Sequence, residues 1–330
     1  MNELVPVVAW VGAVLAALSS FLLFGRMRIF GMFLGRGGSD TKISVIIPAR
    51  DEEANLGKLL PMLNEQHEAV HEVIVVNDHS QDGTADVVHK HGATLLESKE
   101  LPEGWYGKSW ACAQGARAAT GDWLLFLDAD VEPGPDTVTL MKSSSAEWPD
   151  AVISVCPWHR MERPYEQLSV FFNLLMIGGV GAFTWKGATA PQVALFGQVL
   201  LIKRELYKKT GGHELVKGEL LENFCLGREL ENMGIERRCF LGGHSIAMRM
   251  FPSGFASLLE SWTKAGTAGA TSTSKGILIL SSLWLTGLMF VSTSLFLVFM
   301  CGPSEIMSFA TCSPSLTPAS KRSATISTSS

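Results

Sequence analysis

The stretch Gly121-Asp-Trp-Leu-Leu-Phe-Leu-Asp-Ala-Asp-Val-Glu-Pro-Gly134 carries five apolar residues straight into two aspartates separated by one alanine. Trp123 to Leu127 has the length and composition of a strand buried on both faces. Two carboxylates this close repel each other unless a cation joins them or one keeps its proton. Asp128 and Asp130 therefore point to a metal ion, a phosphorylated aspartate or a plain polar turn. A lone Asp-x-Asp is most often the last of these, so the surrounding sequence has to decide.

Working outward, Lys42 to Pro48 is a β-branched apolar strand closed by proline. Glu72 to Asn77 is a second strand, ending in the dense turn signal Asp78-His-Ser-Gln-Asp-Gly83. Short strands follow at Ala93 to Leu96 and Ala151 to Cys156, while Glu52 to Leu63, Thr84 to His91 and Ser109 to Ala119 have helical spacing. Strands alternating with helices predict an α/β fold on a mostly parallel sheet, where ligands collect at the carboxyl ends of the strands. Pro48 to Glu53, Asn77 to Asp82 and Asp128 to Asp130 each lie at such an end. Three acidic loops are thus expected along one edge of the sheet.

The two ends of the chain read differently. No residue from Leu4 to Phe24 is charged, and Ile277 to Cys301 is a second uncharged run; either reaches the ~20 apolar residues of a bilayer-spanning helix. No basic residue precedes the first run, which argues against a cleaved signal, and Arg26, Arg28, Arg36 and Lys42 follow it. With Lys264 and Lys275 before the second run, these place residues 26–276 on the cytoplasmic side of a multi-pass protein in the cell membrane. The expected division is a spanning helix over 1–25, a cytoplasmic domain over 42–265 and a second span over 276–301. A Ser/Thr/Pro-rich tail over 302–330 reads as disordered, and Gly35 to Asp40 as a flexible joint. Leu168 to Trp185 runs without a charge but is broken by Gly178-Gly-Val-Gly181, and reads equally as a helix in the membrane interface or in the core.

Formal net charge is −5, without the basic excess that nucleic-acid binding requires. Six scattered cysteines form no Cys-x-x-Cys, so they read as small buried hydrophobes in a reducing compartment. Hard divalent cations take oxygen ligands and bridge phosphates, so a metal-bridged nucleotide diphosphate accounts for the aspartate pair. Haloacid-dehalogenase-type phosphatases offer a rival, because Asp128-Ala-Asp-Val131 matches their nucleophile motif. That motif normally opens the first strand of its domain and needs a later acidic pair, whereas here it ends a fourth strand and no Asp-Asp pair follows.

Ser44-Val-Ile-Ile-Pro-Ala-Arg-Asp-Glu-Glu53, Val75-Val-Asn-Asp-His-Ser-Gln-Asp-Gly-Thr84 and Phe126-Leu-Asp-Ala-Asp130, in that order and spacing, resemble the family 2 glycosyltransferases. The resemblance covers roughly residues 42–265. It implies a GT-A fold, a nucleotide-sugar donor and a divalent metal, Mg2+ or Mn2+. It also implies that Asp78 bonds the donor's base, with Pro48, Ala49, Arg50 and Glu52 alongside. Asp128 would then face the ribose and sugar, and Asp130, with Asp128, the metal.

Leu101-Pro-Glu-Gly-Trp-Tyr-Gly-Lys-Ser-Trp-Ala111, Gly211-Gly-His-Glu214, Gly218-Glu-Leu-Leu-Glu-Asn-Phe-Cys-Leu-Gly-Arg228 and Arg249-Met-Phe-Pro252 look like membrane glycosyltransferases of carotenoid-acid and hopanoid pathways. The implied reaction is inverting transfer of a hexose, from UDP-glucose, to an isoprenoid or carotenoid lipid held in the bilayer. Lys108 and Arg249 are the candidate cations at the donor phosphates; an exposed lysine and a salt-bridged surface arginine are their plain alternatives. The chain departs from the family at Glu222-Asn223, where Glu-Asp is usual and the aspartate is the base. Glu222 and Asn223 stand as the catalytic candidates, and the departure keeps open a catalytically degenerate membrane protein. His213 and His244 read as loop histidines.

Overall fold

The computed structural model describes residues 4–32, 40–187, 194–219, 221–251, 254–260, 262–263 and 273–310. The expected joint at Gly35 to Ser39 and the tail beyond Ala310 lie outside them. Two compact units emerge, residues 19–282 and the paired ends 1–18 with 283–330.

The larger unit is built on seven strands. They are β1 (Ile43–Ala49), β2 (Glu72–Asn77), β3 (Thr94–Glu97), β4 (Trp123–Leu127), β6 (Val152–Cys156), β8 (Val199–Lys203) and β9 (Arg237–Leu241). Their spatial order is β3-β2-β1-β4-β8-β6-β9. β1 pairs in parallel with both β2 and β4, and β3 in parallel with β2. β8 runs antiparallel between β4 and β6, so one half of the sheet is wholly parallel and the other mixed. A second, three-stranded sheet joins β5 (Val131–Pro133), β10 (Ile246–Met248) and β7 (Trp158–His159) in that order.

Alternation along the strands sends side chains to two separate cores. Val45 and Ile47 of β1 with Leu125 and Leu127 of β4 pack on one face, against Leu56, Leu59, Leu60 and Leu63 of helix α2 (Glu53–Asn64). Ile46, Leu124 and Phe126 face the other way, against Ala111, Cys112 and Ala116 of α4 (Gly107–Ala118). Helices α3 (Thr84–Lys90) and α5 (Thr137–Glu147) complete the first layer through Val88, Val138 and Met141. Cys112, Cys156, Cys225 and Cys239 are free and buried, as small hydrophobes.

A 3-10 turn at Pro164–Leu168 leads into the uncharged stretch from Leu168 to Trp185, most of which is helix α6 (Ser169–Val180). Gly181, at φ 73°, ends that helix in the left-handed conformation that only glycine takes easily. Its outer positions Val170 and Phe171 are exposed while Asn173, Gly178 and Val180 are buried, so α6 is neither a span nor a fully enclosed core helix. Helices α7 (Arg204–Thr210) and α8 (Glu222–Asn232) follow on either side of a 3-10 turn at Gly212–Val216.

In the smaller unit, α1 (Leu4–Phe24) contributes its first residues and α9 (Lys275–Ala310) its greater part. α9 runs to Ala310, nine residues beyond Cys301. Val7–Phe24 and Lys275–Phe296 are long and apolar enough to cross a membrane, with mean hydropathies of 2.3 and 1.7. An added Cβ on Gly12 would lie 2.6 Å from Phe290 Cβ, and one on Gly287 would lie 2.7 Å from the Gly12 carbonyl. Small residues thus let the two helices approach closely.

The contact that seats α4 on the sheet is the most sensitive to volume. A Cβ at Gly115 would meet Ile46 Cγ2 at 2.4 Å and Val76 Cγ2 at 3.1 Å. Gly115→Ala should therefore lower unfolding free energy by about 1–3 kcal/mol, the cost of overpacking a tight core, read by denaturant titration. An unchanged midpoint would show that α4 can shift outward freely.

Candidate active site

The carboxyl ends of β2, β1 and β4 lie side by side because those three strands are parallel neighbours. The loops leaving β1 and β2 are sewn together by their own acidic side chains. Ser80 Oγ accepts from Asp51 N at 3.0 Å, and Asp51 Oδ1 accepts from Gln81 N at 2.7 Å. Asp82 Oδ2 accepts from Glu53 N, and Glu53 Oε2 from Gly83 N, each at 3.0 Å. The Thr84 hydroxyl and backbone amides hold the Asp82 carboxyl below its ordinary pKa. Asp51, Glu53 and Asp82 are thus spent on loop structure. Asp51 and His79 hold φ of 56° and 59°, a cost of roughly 1–2 kcal/mol apiece for a non-glycine residue.

What the loops leave facing outward is a polar cavity of about 410 Å³. Pro48, Ala49, Arg50, Glu52, Asp78, Lys108, Asp128 and Asp130 all line it. Every donor-side candidate read from the sequence except Arg249 is brought together here. Arg50 approaches Asp78 at 3.9 Å. Asp78 abuts the first turn of α4 so closely that a Cβ on Gly107 would fall 2.7 Å from its Oδ2.

Lys108, also on that first turn, reaches Asp128 Oδ1 at 2.7 Å and Glu222 Oε1 at 3.8 Å. Desolvation opposes its charge, but the Asp128 and Glu222 carboxylates outweigh it and raise its pKa. Asp130 has no such ion pair among the described residues. Burial, then Asp128 and Glu52, push its carboxyl up to about 6 from an ordinary 3.8. Glu52 is raised too, by burial first, with Asn55 Nδ2 donating to it at 2.7 Å.

Among the described residues no three His, Cys, Asp or Glu side chains are placed to hold a metal ion together. Asp128 and Asp130 carry the hard carboxylate oxygens that a divalent cation takes, and two such residues could hold an ion whose remaining ligands come from phosphate and water. That donor set fits an ion that arrives with a diphosphate.

Lys108 and Asp128 also line a second cavity, of about 260 Å³, that is largely apolar. Phe172, Met176, Ile177, Val180, Leu195 and Phe251 are among its walls, and Glu222 and Asn223 stand at its polar end. Asn223 Nδ2 donates to Glu222 Oε1 at 2.8 Å. Burial raises the Glu222 pKa, and Lys108 partly offsets it. Gly197 is required beneath Asn223, since a Cβ there would sit 2.1 Å from Asn223 Nδ2. Phe251 lines the cavity at φ 61°, its carbonyl accepting from the Tyr165 hydroxyl at 2.7 Å.

Arg249 is placed elsewhere. Its guanidinium pairs with Glu162 at 2.7 Å and with the buried Glu166 at 2.8 Å, and it does not line the donor cavity. Hydrogen bonding from Arg249 lowers the Glu166 carboxyl to about 2, so the salt-bridge alternative describes it. His213 is likewise structural: Tyr207 Oη lies 2.8 Å from its Nδ1, and its ring meets Phe126 edge-on beneath β4. Sequence reasoning missed Gly197, Gln198, His159 and Asn173, all lining the apolar cavity. No motif or regular spacing marks any of them in the sequence.

A family model described as glycosyl transferase family 2 matches residues 44–198. The 4,4'-diaponeurosporenoate glycosyltransferase of Staphylococcus haemolyticus is 34% identical over 278 residues, covering 83% of this chain and 74% of that protein. The chain belongs to glycosyl transferase family 2. The protein of the same name from Staphylococcus aureus (strain USA300) is 37% identical over 248 residues, which are 74% of this chain and 66% of that protein. This glycosyltransferase also shares its fold with a mannosyltransferase from Pyrobaculum calidifontis solved with GDP-Man and Mn2+. That likeness has a TM-score of 0.55 and 18% identity, and covers 92% of this chain and 90% of the other. The fold is GT-A, and the phosphatase reading of Asp128 and Asp130 gives way to a glycosyltransferase.

Two substitutions test these placements. Arg249→Leu strands the buried Glu166 carboxylate and should lower the melting temperature by several degrees, while leaving nucleotide affinity intact by calorimetry. A loss of affinity with unchanged stability would return Arg249 to the donor site. Asp130 is the second. An acid whose folded pKa lies above its unfolded value adds stability fully present below about 3.8 and lost as pH rises through about 6. In metal-free protein, Asp130→Asn should therefore be more stable than the parent near neutral pH by on the order of 1–3 kcal/mol. The difference should vanish in acid. A neutral-pH loss of stability would contradict the raised pKa.

Proposed function

We propose that this glycosyltransferase moves a hexose, glucose from UDP-glucose, onto a lipid-soluble isoprenoid acceptor of the carotenoid class, such as a C30 carotenoid acid. One observation carries the reading. A polar, carboxylate-lined cavity meets an apolar one at Lys108 and Asp128, so a nucleotide diphosphate and a greasy acceptor can face each other across two side chains. The names of the Staphylococcus relatives supply the carotenoid class.

In this reading Asp78 and the loop from Pro48 to Glu52 take the nucleoside, and Asp128 orients the ribose and sugar. A bound Mg2+ or Mn2+, held by Asp130 with Asp128, would neutralise the diphosphate leaving group. Lys108 adds a fixed positive charge beside that group. Glu222 accepts the acceptor's proton as its oxygen attacks the anomeric carbon from the face opposite the diphosphate, inverting the configuration. Its raised pKa makes it a better base than an exposed glutamate. Asn223 has no basic site and instead anchors the Glu222 carboxylate. A carboxylate acceptor is already ionised and needs little from that base.

Residues 42–265 form the catalytic domain in this reading. Val7–Phe24 and Lys275–Phe296, with basic residues beside each on the domain side, suit membrane association with the domain in the cytoplasm. The acceptor then enters from the bilayer.

The test uses full-length protein in detergent with labelled UDP-glucose, a carotenoid acid and an isoprenoid alcohol. Asp130→Ala should remove Mn2+-dependent UDP binding and transfer to both acceptors. Glu222→Gln should keep UDP affinity, lower turnover on the alcohol by about 10²–10⁴-fold, and cost far less on the acid. Full activity of Glu222→Gln on the alcohol would remove the base, and unchanged binding in Asp130→Ala would remove the metal site.

A further inference from the structure

The apolar cavity that reaches Lys108, Asp128 and Glu222 is small for a C30 acceptor. An apolar cavity of about 150 Å³ takes one six-carbon ring, or about 25 Å³ per carbon. At that scale the inner cavity, of about 260 Å³, takes about ten carbons. The rest of such a chain has to lie elsewhere.

A further apolar cavity, of about 520 Å³, adjoins the inner one. Cys156, His159, Asn173 and Ile177 are walls of both. Beyond them the outer cavity is bounded by Trp158 and Met161, by Val170 and Leu174, and by Leu241 at the end of β9. Lys108, Asp128 and Glu222 do not line it. By the same measure it takes about twenty carbons, so the two cavities together match the size of a C30 chain.

Helical periodicity in α6 produces this division. Val170, Asn173, Leu174 and Ile177 follow one i, i+3, i+4, i+7 stripe and line the outer cavity, while Phe172, Met176 and Val180 form the next row and line the inner one.

The outer cavity also lies beside the chain leaving the first apolar helix. Leu241 N donates to Arg28 O, and Phe30 N to Leu241 O, each at 2.8 Å. Arg28 follows the end of that helix at Phe24 by four residues, which an extended chain covers in at most about 14 Å. Trp185 N donates to Leu22 O at 3.1 Å, tying the segment after α6 to the same helix end. Trp158 and Val170, at the rim of the outer cavity, are exposed. A membrane crossed by Val7–Phe24 therefore has its surface close to this rim.

We propose that the outer cavity receives the distal part of the acceptor's hydrocarbon chain, and that Val170 and Leu174 set the chain length the enzyme accepts. The assignment rests on the reading that a lipid acceptor occupies the inner cavity. Lipid tails are as apolar as these walls, so moving a chain from bilayer to cavity gains little. Selection comes from fit.

The experiment compares two isoprenoid acids with one reactive end, of about ten and about thirty carbons, on the full chain in detergent. The ratio of variant to wild type on one acid cancels that acid's partition into the micelle. Leu174→Trp, which fills the outer cavity, should lower kcat/KM on the long acid by about 10–100-fold. Activity on the short acid and UDP affinity should stay within about twofold. Val170→Trp, at an exposed rim position, should act the same way and decides the matter if Leu174→Trp does not fold. A long acid with a photoreactive group at its far end should label wild type within residues 158–161 or 170–174. Equal loss on both acids, no loss on either, or label confined to other residues would overturn the outer-cavity assignment and leave the proposed function standing. Transfer to neither acid by wild type, with UDP still bound, would overturn the acceptor reading and the assignment together.

Discussion

Strand β1 is hydrogen-bonded in parallel on both sides, to β2 from Ser44 to Ala49 and to β4 from Ile43 to Ile46. Parallel pairing forces all three strands to end on the same edge, and burial on both faces leaves no freedom to slip, because a one-residue shift would turn every side chain to the other core. Asp78, Glu52, Asp128 and Asp130 meet for that reason alone. Serine hydroxyls and glycines then tune the approach. Ser44 Oγ accepts from Gly121 N at 2.8 Å, fixing where β4 begins.

Like charges gathered at such an edge need a counterweight. Some acids are removed from the problem by bonding backbone amides, as Asp51, Glu53 and Asp82 do. Asp128 is neutralised by Lys108 at 2.7 Å. Asp130 is left with a carboxyl that burial, Asp128 and Glu52 raise to about 6. Lys108 also approaches Glu222, so one ammonium couples the leaving-group side to the proposed base. The same lysine borders both the polar and the apolar cavity, so the first turn of α4 stands where the two meet.

The polar, acidic cavity was legible in the chain because its signals are local. Each motif ends an apolar strand, so period, turn chemistry and charge fall within about ten residues of one another, and the carboxylates keep their places. Glu222 and Asn223 were found through resemblance and were then brought to the cavity by α8. Arg249 was legible as a charge but not as a partner of Glu166, which lies 83 positions away.

The sequence by itself determined strands β1 to β4 and β6, the parallel half of the sheet, the two apolar ends and the acidic edge, since buried period and turn residues act over short spans of chain. Tertiary structure alone decided which acids bond backbone amides and that β8 runs antiparallel. It also decided that His159, Asn173, Gly197 and Gln198 share one cavity. Those residues come from separate elements with no common spacing, and a side chain's partners at long sequence separation depend on how whole layers pack. Hydrogen-bond satisfaction is likewise a property of the folded neighbourhood, so an Asn173 Nδ2 without a partner among the described residues can be recognised only in the folded chain.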